Sequence, residues 1–567
     1  MRLQGVMQPL KDNMKFKSII YGISESGKSY IINGIFEEND NSMVIVTHSD
    51  VDAKNLYEDL SFYTTDVFYF PVREVVFYNV DAISGDLRWA RLKVIKEILQ
   101  NERKKIIVTS IDSLTSLYTP KEYYLRYSMI IKTGDNVDLK EISKSLLQCG
   151  YERVEVVEGK GEFSFRGGIL DVFPPTSAYP YRVELFGDEV DSIRTFNTES
   201  QRSIEKVKEF SIFPSKEVIV DDEGRNRAVQ TINEELKNIV ANVSNLNKES
   251  VEKIKGIVGK NIELLNNTYY FETIDSYLPF FYEKLDSFFD YLDGYTFIVD
   301  DFKRSLGKMD SIYYEFNENY ISFLQRGDIL PLQNNLLLNK GELESKLENS
   351  SLITLSSFLN KSDNLFNTVD IGFEEITLNK YNGQLNLLIE DIEERKEKKY
   401  KTVILAGTRP RGERLVKTLM EKGISSTYKD SIDKIEAGEV VITFGNLIRG
   451  FDYPELELSI ISDKDIFGET RRKHSGKAVK RKGVAKITSF AELKPGDYVV
   501  HANHGIGIYK GIKQMVAGGT TRDYLDIVYD KGDKLYVPVD QLDLVQKYIG
   551  SEGNSPKINK LGGAEWQ

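Results

Sequence analysis

The sequence predicts a multi-domain α/β protein that carries an inserted α+β piece and ends in a small all-β barrel. Three observations support this. Apolar strands alternate with helical patterns up to about residue 125 and again from 208 to 465. A stretch of period-two alternation interrupts them at 127–207. Beyond a basic run near 470–486 the pattern becomes short strands separated by turn residues. Strands alternating with helices argue parallel sheets covered by helices, and short turn-punctuated strands argue a barrel or sandwich.

The first unit spans 1–126. Phe16–Tyr21 is an apolar strand ending in Gly22. Met43–Thr47 and Ile106–Ser110 are continuous apolar runs of buried-strand length, with helical patterns at Asp52–Leu60 and Asp86–Leu99. The inserted piece, 127–207, opens with the helix Leu139–Cys149 and continues into a hairpin. Ile169–Phe173 is its first strand, with Asp171 out of phase. Pro174-Pro175 ends that strand, and Tyr181–Phe186 alternates as the return. Residues 208–345 resume α/β character, with the strand Tyr295–Val299 running into Asp300-Asp301. They are expected to complete the domain that 127–207 interrupts. Residues 350–465 form a further α/β unit with strands Thr402–Ala406 and Glu439–Thr443 around the helix Gly412–Lys422. Residues 466–486 are expected to be a flexible linker, because 469–486 hold eight Lys or Arg against one acid, Glu469. The barrel, 487–548, has strands Asp497–His501, Gly507–Met515, Asp523–Tyr529 and Lys534–Pro538. No internal repeat is evident.

Composition narrows the function classes. A chain of 567 residues should hold three to five domains. A net charge of -12 argues against bulk nucleic-acid binding and leaves room only for a local basic stripe. Cys149 is the single cysteine, so neither a disulfide framework nor a Cys-based metal site is expected. His501 and His504 lie three apart without acidic or thiol partners, so no metal is expected there either. The N-terminus has no apolar signal core and no run approaches 18 apolar residues, so no membrane contact is expected and the cytoplasm is the expected location.

Gly22-Ile-Ser-Glu-Ser-Gly27-Lys28-Ser29 matches the P-loop pattern, after a strand and at the start of a helix. In such a loop the backbone amides hold phosphate oxygens, Lys28 would neutralise β/γ charge and Ser29 would ligate Mg²⁺. Asp300 stands where the metal-associated acid of a nucleotidase would stand. The acid after it is Asp301 rather than Glu, one methylene shorter and less able to reach an attacking water. Gly22, Gly27, Lys28, Ser29 and Asp300 are therefore candidate ligands of ATP and Mg²⁺. A vestigial or binding-only loop is favoured over an ATPase, no catalytic residue is assigned, and no cofactor is required. Arg409, Arg411 and Arg414, and the stretch Arg449-Gly450-Phe451-Asp452-Tyr453-Pro454, read as remnants of a second helicase lobe or, preferably, as solvated loop charge.

Arg166, Arg182 and Phe186 bring to the hairpin two cations and an aromatic, the residue types that dominate interface hot spots. The competing reading is an ordinary sheet with solvated arginines. Residues 486–548 hold eight basic and eight acidic side chains, which argues against phosphate binding as the barrel's main task. Gly507–Met515 reads as an edge strand open to pairing with another protein's sheet.

Arg166-Gly-Gly-Ile-Leu-Asp-Val-Phe-Pro-Pro and Tyr181-Arg-Val-Glu-Leu-Phe-Gly-Asp resemble domain 2 of the bacterial transcription-repair coupling factors, which the excision-repair protein UvrB shares. Phe70-Pro71, Glu74, Tyr78, Ser84, Asp86, Arg91 and Leu92 resemble the first domain of that family. The direct passage from Tyr78 to Ser84 is similar to the family's loss of UvrB's DNA-threading hairpin. Lys494-Pro-Gly-Asp-Tyr-Val-Val-His501, His504-Gly-Ile-Gly507 and Leu535-Tyr-Val-Pro-Val539 resemble the RNA-polymerase-interacting domain shared with CarD. Leu561-Gly-Gly-Ala-Glu-Trp566 resembles the start of the helix (549–567) leading to the family's motor.

The resemblance implies a UvrB-homologous, P-loop/RecA-like module and a Tudor/CarD-like barrel. It implies that Arg166, Arg182 and Phe186 contact UvrA, and that Ile512, Lys513 and Met515 contact the polymerase β subunit. It also implies that ATP-driven translocation on double-stranded DNA lies in motor domains after Gln567, with an autoinhibitory domain beyond them. The implied function is a two-headed adaptor in transcription-coupled nucleotide excision repair. The alternatives are a UvrB-like P-loop ATPase at damaged DNA and a CarD-like transcription regulator.

Overall fold

The computed structural model describes residues 17–24, 27–73, 85–100, 102–241, 248–357, 369–432 and 434–468, and in the C-terminal region 484–486, 496–501, 505–517, 520–530, 533–538 and 545–548. The continuous apolar runs become the centre of a seven-stranded, all-parallel sheet. Its order is Val369–Gly372, Ser18–Tyr21, Leu352–Ser356, Thr296–Asp300, Met43–Thr47, Ile106–Ser110 and Val67–Tyr69. Met43–Thr47 and Ile106–Ser110 are buried along their whole length. Both faces of a parallel sheet are covered, so such strands read as unbroken apolar runs. Helices Lys28–Glu38, Asp50–Tyr63 and Gly85–Gln100 follow the first three strands to form in sequence.

Residues 129–212 leave this sheet and return. They hold helix Leu139–Gln148 and a six-stranded sheet ordered Ser203–Val207, Glu189–Phe196, Tyr181–Phe186, Ile169–Val172, Glu162–Arg166 and Glu152–Arg153, antiparallel except for its last pair. Met129–Lys132 and Glu209–Ile212 pair with each other where the chain enters and leaves. Behind the insert, Arg91 on helix Gly85–Gln100 grips Glu217. Its Nε and Nη2 donate to the two carboxylate oxygens at 2.7 Å each, and both side chains are buried. Burial pushes the Glu217 carboxyl up; the Arg91 charge and hydrogen bonds more than reverse this and hold it below the usual range.

A second α/β sheet runs Ile376–Thr377, Phe451–Tyr453, Leu458–Ile461, Lys401–Ala406, Val440–Phe444 and Thr427–Tyr428. Its Thr427–Tyr428, Val440–Phe444, Lys401–Ala406 and Leu458–Ile461 strands are parallel, and the other two are antiparallel additions. One apolar cluster is continuous through both α/β layers, taking Ile20, Ile45 and Ile298 from the first sheet and Val403, Val441 and Ile460 from the second. This corrects the boundary read from sequence. Leu352–Ser356 and Val369–Gly372 fall inside the expected 350–465 unit, yet they pair on either side of Ser18–Tyr21. The crossover to the second sheet comes between Gly372 and Ile376.

The C-terminal region is a six-stranded antiparallel sheet ordered Val484–Lys486, Val545–Tyr548, Tyr498–His501, Gly505–Ala517, Thr520–Val528 and Lys534–Pro538. Val499, Leu525, Ile527 and Val537 form its small core. Part of the expected 466–486 linker, Val484–Lys486, is thus a strand of this sheet, drawn in by backbone pairing with Val545–Tyr548. Among the described residues no helix is long and apolar enough to cross a membrane.

Candidate functional site

The hairpin places its three candidate residues in different environments. Tyr181–Phe186 pairs with Ile169–Val172, matching Arg182 with Asp171 and Glu184 with Ile169. Arg182 donates from Nε and Nη2 to the two Asp171 oxygens at 2.7 and 2.8 Å, and its guanidinium lies 4.5 Å from the Phe196 ring centroid. Asp171 is buried, which explains a charged residue standing out of phase in an apolar strand. Glu184 is taken by Ser192 at 2.7 Å and by Arg194 at 3.2 Å. The acid on the face of Arg182 is therefore engaged within the sheet.

Arg166 and Phe186 stand apart from this network. Arg166 ends its strand at the Gly167-Gly168 turn, where φ is +54° and +85°; Phe186 ends its strand at Gly187, where φ is +67°. Leu185 N–H donates to Gly168 carbonyl at 2.9 Å, so the two turns sit side by side at one end of the sheet. Arg166 is exposed. Phe186 is 83% exposed, the most exposed large apolar side chain among the described residues.

The 22–29 loop is built differently from an open phosphate cradle. Lys28 and Ser29 are buried at the start of helix Lys28–Glu38. Lys28 Nζ lies 2.8 Å from both carboxylate oxygens of Asp300, at the end of strand Thr296–Asp300. Burial raises the Asp300 carboxyl, with Lys28 opposing. Asp301 has φ +45° and caps helix Phe302–Gln325 by accepting the Arg304 N–H at 3.2 Å, so its carboxylate serves the helix. Glu375, which the sequence reading passed over, accepts the Ser24 N–H at 2.9 Å, the Ser24 hydroxyl, and the Tyr453 hydroxyl at 3.1 Å. Burial, then the Glu375 charge and hydrogen bond, keep Tyr453 protonated far above the usual phenol range. The signal for Tyr453 lay in the Arg449–Pro454 stretch. Glu375 stands in Gly-Phe-Glu-Glu-Ile, a sequence without a motif.

The arginines of the second sheet spread over several contacts. Arg409 is exposed and bridges Glu413 and Asp430, Arg411 bonds Asp463 at 2.5 Å, and Arg414 is exposed. Arg449 reaches a small cleft beside Lys28 and Asp300 that is also lined by Asp52 and Asp59.

In the C-terminal sheet, Gly505–Ile508 pairs with Tyr498–His501, and Ile508 also pairs on its other side with Val528. Beyond it the strand pairs along one side with Thr520–Ile527, placing Ile512 opposite Leu525, Lys513 opposite Tyr524 and Met515 opposite Arg522. From Tyr509 onward the described pairing thus runs along one side of the strand, over most of the expected edge. The side chains of Ile512, Lys513 and Met515 lie outside the described residues.

Comparison with known proteins assigns names to these modules. The family model for the UvrB interaction domain matches residues 129–218, and that for the CarD-like/TRCF RID domain matches 493–549. The transcription-repair-coupling factor of Bacillus subtilis (strain 168) is 34% identical over 585 residues, covering 100% of this chain and 49% of the relative. Those of Staphylococcus epidermidis (strain ATCC 12228 / FDA PCI 1200) and Staphylococcus aureus (strain USA300) are 30% and 29% identical over 554 residues, covering 97% of this chain and 46% and 47% of the relatives. The chain spans about half the length of the curated relatives it matches. With a UvrB interaction domain inserted in its first α/β sheet and a CarD-like/TRCF RID domain as its last sheet, the chain corresponds along its whole length to about half of a transcription-repair coupling factor.

Proposed function

We propose that this chain is the adaptor portion of a transcription-coupled nucleotide excision repair factor, acting in the cytoplasm. The inserted domain recruits UvrA through the sheet end carrying Arg166 and Phe186, with Arg182 shaping that surface. The C-terminal sheet docks on the RNA polymerase β subunit through the half-free strand that carries Ile512, Lys513 and Met515. Contact with double-stranded DNA and ATP-driven movement along it belong to motor domains of the family outside this chain. The adaptor role requires no cofactor of its own.

The observation that supports this reading best is Phe186. An aromatic ring left 83% exposed at a sheet end gains stability only when a partner covers it. A UvrB-like ATPase at damaged DNA is less well supported, because Asp301 serves as a helix cap and Lys28 is held by Asp300. The test is reconstitution. The chain should capture UvrA and polymerase β, each without displacing the other. A chain that captures neither, or whose two partners exclude one another, would reject the adaptor.

A further inference from the structure

The P-loop motif and the fold around it disagree about what the loop holds. The motif's two glycines are normally read as room for phosphate. Here both are required by this chain's own atoms. A Cβ on Gly22 would lie 1.8 Å from the carbonyl oxygen of Phe373, and Gly22 already needs φ +81°. A Cβ on Gly27 would lie 2.2 Å from the Tyr453 hydroxyl and 2.3 Å from a Glu375 oxygen. The segment pressing on the loop is fixed by backbone bonds. Phe373 N–H donates to Tyr21 carbonyl at 2.9 Å and Glu375 N–H to Gly22 carbonyl at 3.3 Å. The Glu375 carboxylate then takes the Ser24 amide and hydroxyl.

A carboxylate satisfies the Ser24 amide for the same reason that a phosphate would: it is an anion offered to an N–H dipole close to a helix N-terminus. Charge-assisted bonds of this kind are about twice as strong as neutral ones, and an internal ligand needs no association step. The lysine that would meet a triphosphate is meanwhile neutralised by Asp300 at 2.8 Å. The cleft beside it is lined by Asp52, Asp59 and Asp300 as well as Lys28 and Arg449.

We propose that the described part of the P-loop motif, Gly22–Ser24 with Gly27, is a socket for the Glu375 carboxylate. It fastens the second α/β layer to the first, and it excludes nucleotide as long as Glu375 is seated. At Ser24 a carboxylate of the same chain stands where the motif would offer its amides to an external anion.

The experiment uses the whole chain and a fluorescent ATP analogue with Mg²⁺ as probe. The variants are Glu375→Ala, Glu375→Gln and the double variant Glu375→Ala with Lys28→Ala. Removing the competing carboxylate should tighten probe binding by about tenfold to a hundredfold over wild type, the worth of a charge-assisted hydrogen bond. The double variant should lose that gain. Hydrogen exchange should show the 17–30 backbone opening faster in Glu375→Gln, with the inserted domain unchanged. Wild type binding the probe as tightly as Glu375→Ala would overturn the proposal. So would a Glu375→Ala chain that melts as a folded protein and still binds nothing. If Glu375→Ala does not fold, Glu375→Gln decides: unchanged exchange across 17–30 overturns the socket.

Discussion

Asp59 accepts the backbone N–H of Ile448 at 2.8 Å, across the seam between the two α/β layers. Asp59 lies on the helix after the second strand of the first sheet, and Ile448 on the loop after Val440–Phe444 of the second. Burial raises the Asp59 carboxyl to about 7. The Ile448 hydrogen bond and the Lys464 charge pull the other way and do not compensate. The contact is thus held by a carboxyl that ionises near neutrality.

This contact should make stability depend on pH. The folded chain binds the Asp59 proton more tightly than the unfolded chain, whose carboxyl titrates near 3.8. Between these values the folded state carries the extra proton, so stability falls as pH rises from about 4 to about 7. The integrated effect has an upper bound on the order of 4 kcal/mol. Asp59→Asn keeps an oxygen for Ile448 and removes the charge. Urea melts should show wild type losing more stability than Asp59→Asn between pH 5 and pH 8, with Asp59→Asn the more stable at pH 8. Parallel pH profiles would contradict the assignment.

Arg91 tests a different joint. Its bidentate pair with Glu217 is buried on both sides, and breaking such a pair strands a charge. Arg91→Ala should cost about 3–5 kcal/mol, whereas replacing both partners with apolar residues should cost much less. A double-mutant melting series checks this. Arg91→Ala melting like wild type would show that Glu217 finds another partner.

The inserted domain predicts a division among its three candidate residues. Phe186→Ala and Arg166→Ala remove exposed groups, so the melting curve should stay put while UvrA capture drops. Arg182→Ala strands the buried Asp171 carboxylate and uncovers Phe196. It should destabilise the domain by about 2–4 kcal/mol and weaken capture indirectly. Capture and melting measured on the same samples separate the two. A Phe186→Ala chain that captures UvrA at wild-type strength would remove that residue from the interface.

These differences mark what sequence could convey. Met43–Thr47, Ile106–Ser110, Tyr181–Phe186 and Lys534–Pro538 have the bounds that their local pattern predicts, because burial on both faces or on one leaves a local signature. Asp171 was visible as an anomaly, and cross-strand pairing supplied its partner eleven residues on. The joining of 352–356 and 369–372 to the first sheet was not legible. Parallel pairing links residues more than 300 apart, and nothing in either segment names its neighbour. Glu375 was hidden for the same reason: its role depends on a loop 351 residues earlier. The P-loop motif reported an anion-binding loop and was silent about the anion.

The last prediction concerns the strand Gly505–Ala517. Its first four residues pair with Tyr498–His501, and Ile508 is also held on its other side by Val528. From Tyr509 onward the described pairing runs along one side only. A partner sheet can add there, with backbone hydrogen bonds giving affinity and alternate side chains giving selectivity. Met515 lies in that half, opposite Arg522. If Met515 fills an apolar recess on polymerase β, Met515→Arg would bury an unpaired charge and cost several kcal/mol of binding. Capture of polymerase β should be lost, UvrA capture retained, and the melting of the whole chain unchanged. If Met515 instead packs inside this sheet, the same substitution would unfold it, and hydrogen exchange across 498–538 would rise in the free chain. Lost β capture with unchanged exchange establishes the interface, and raised exchange rejects it.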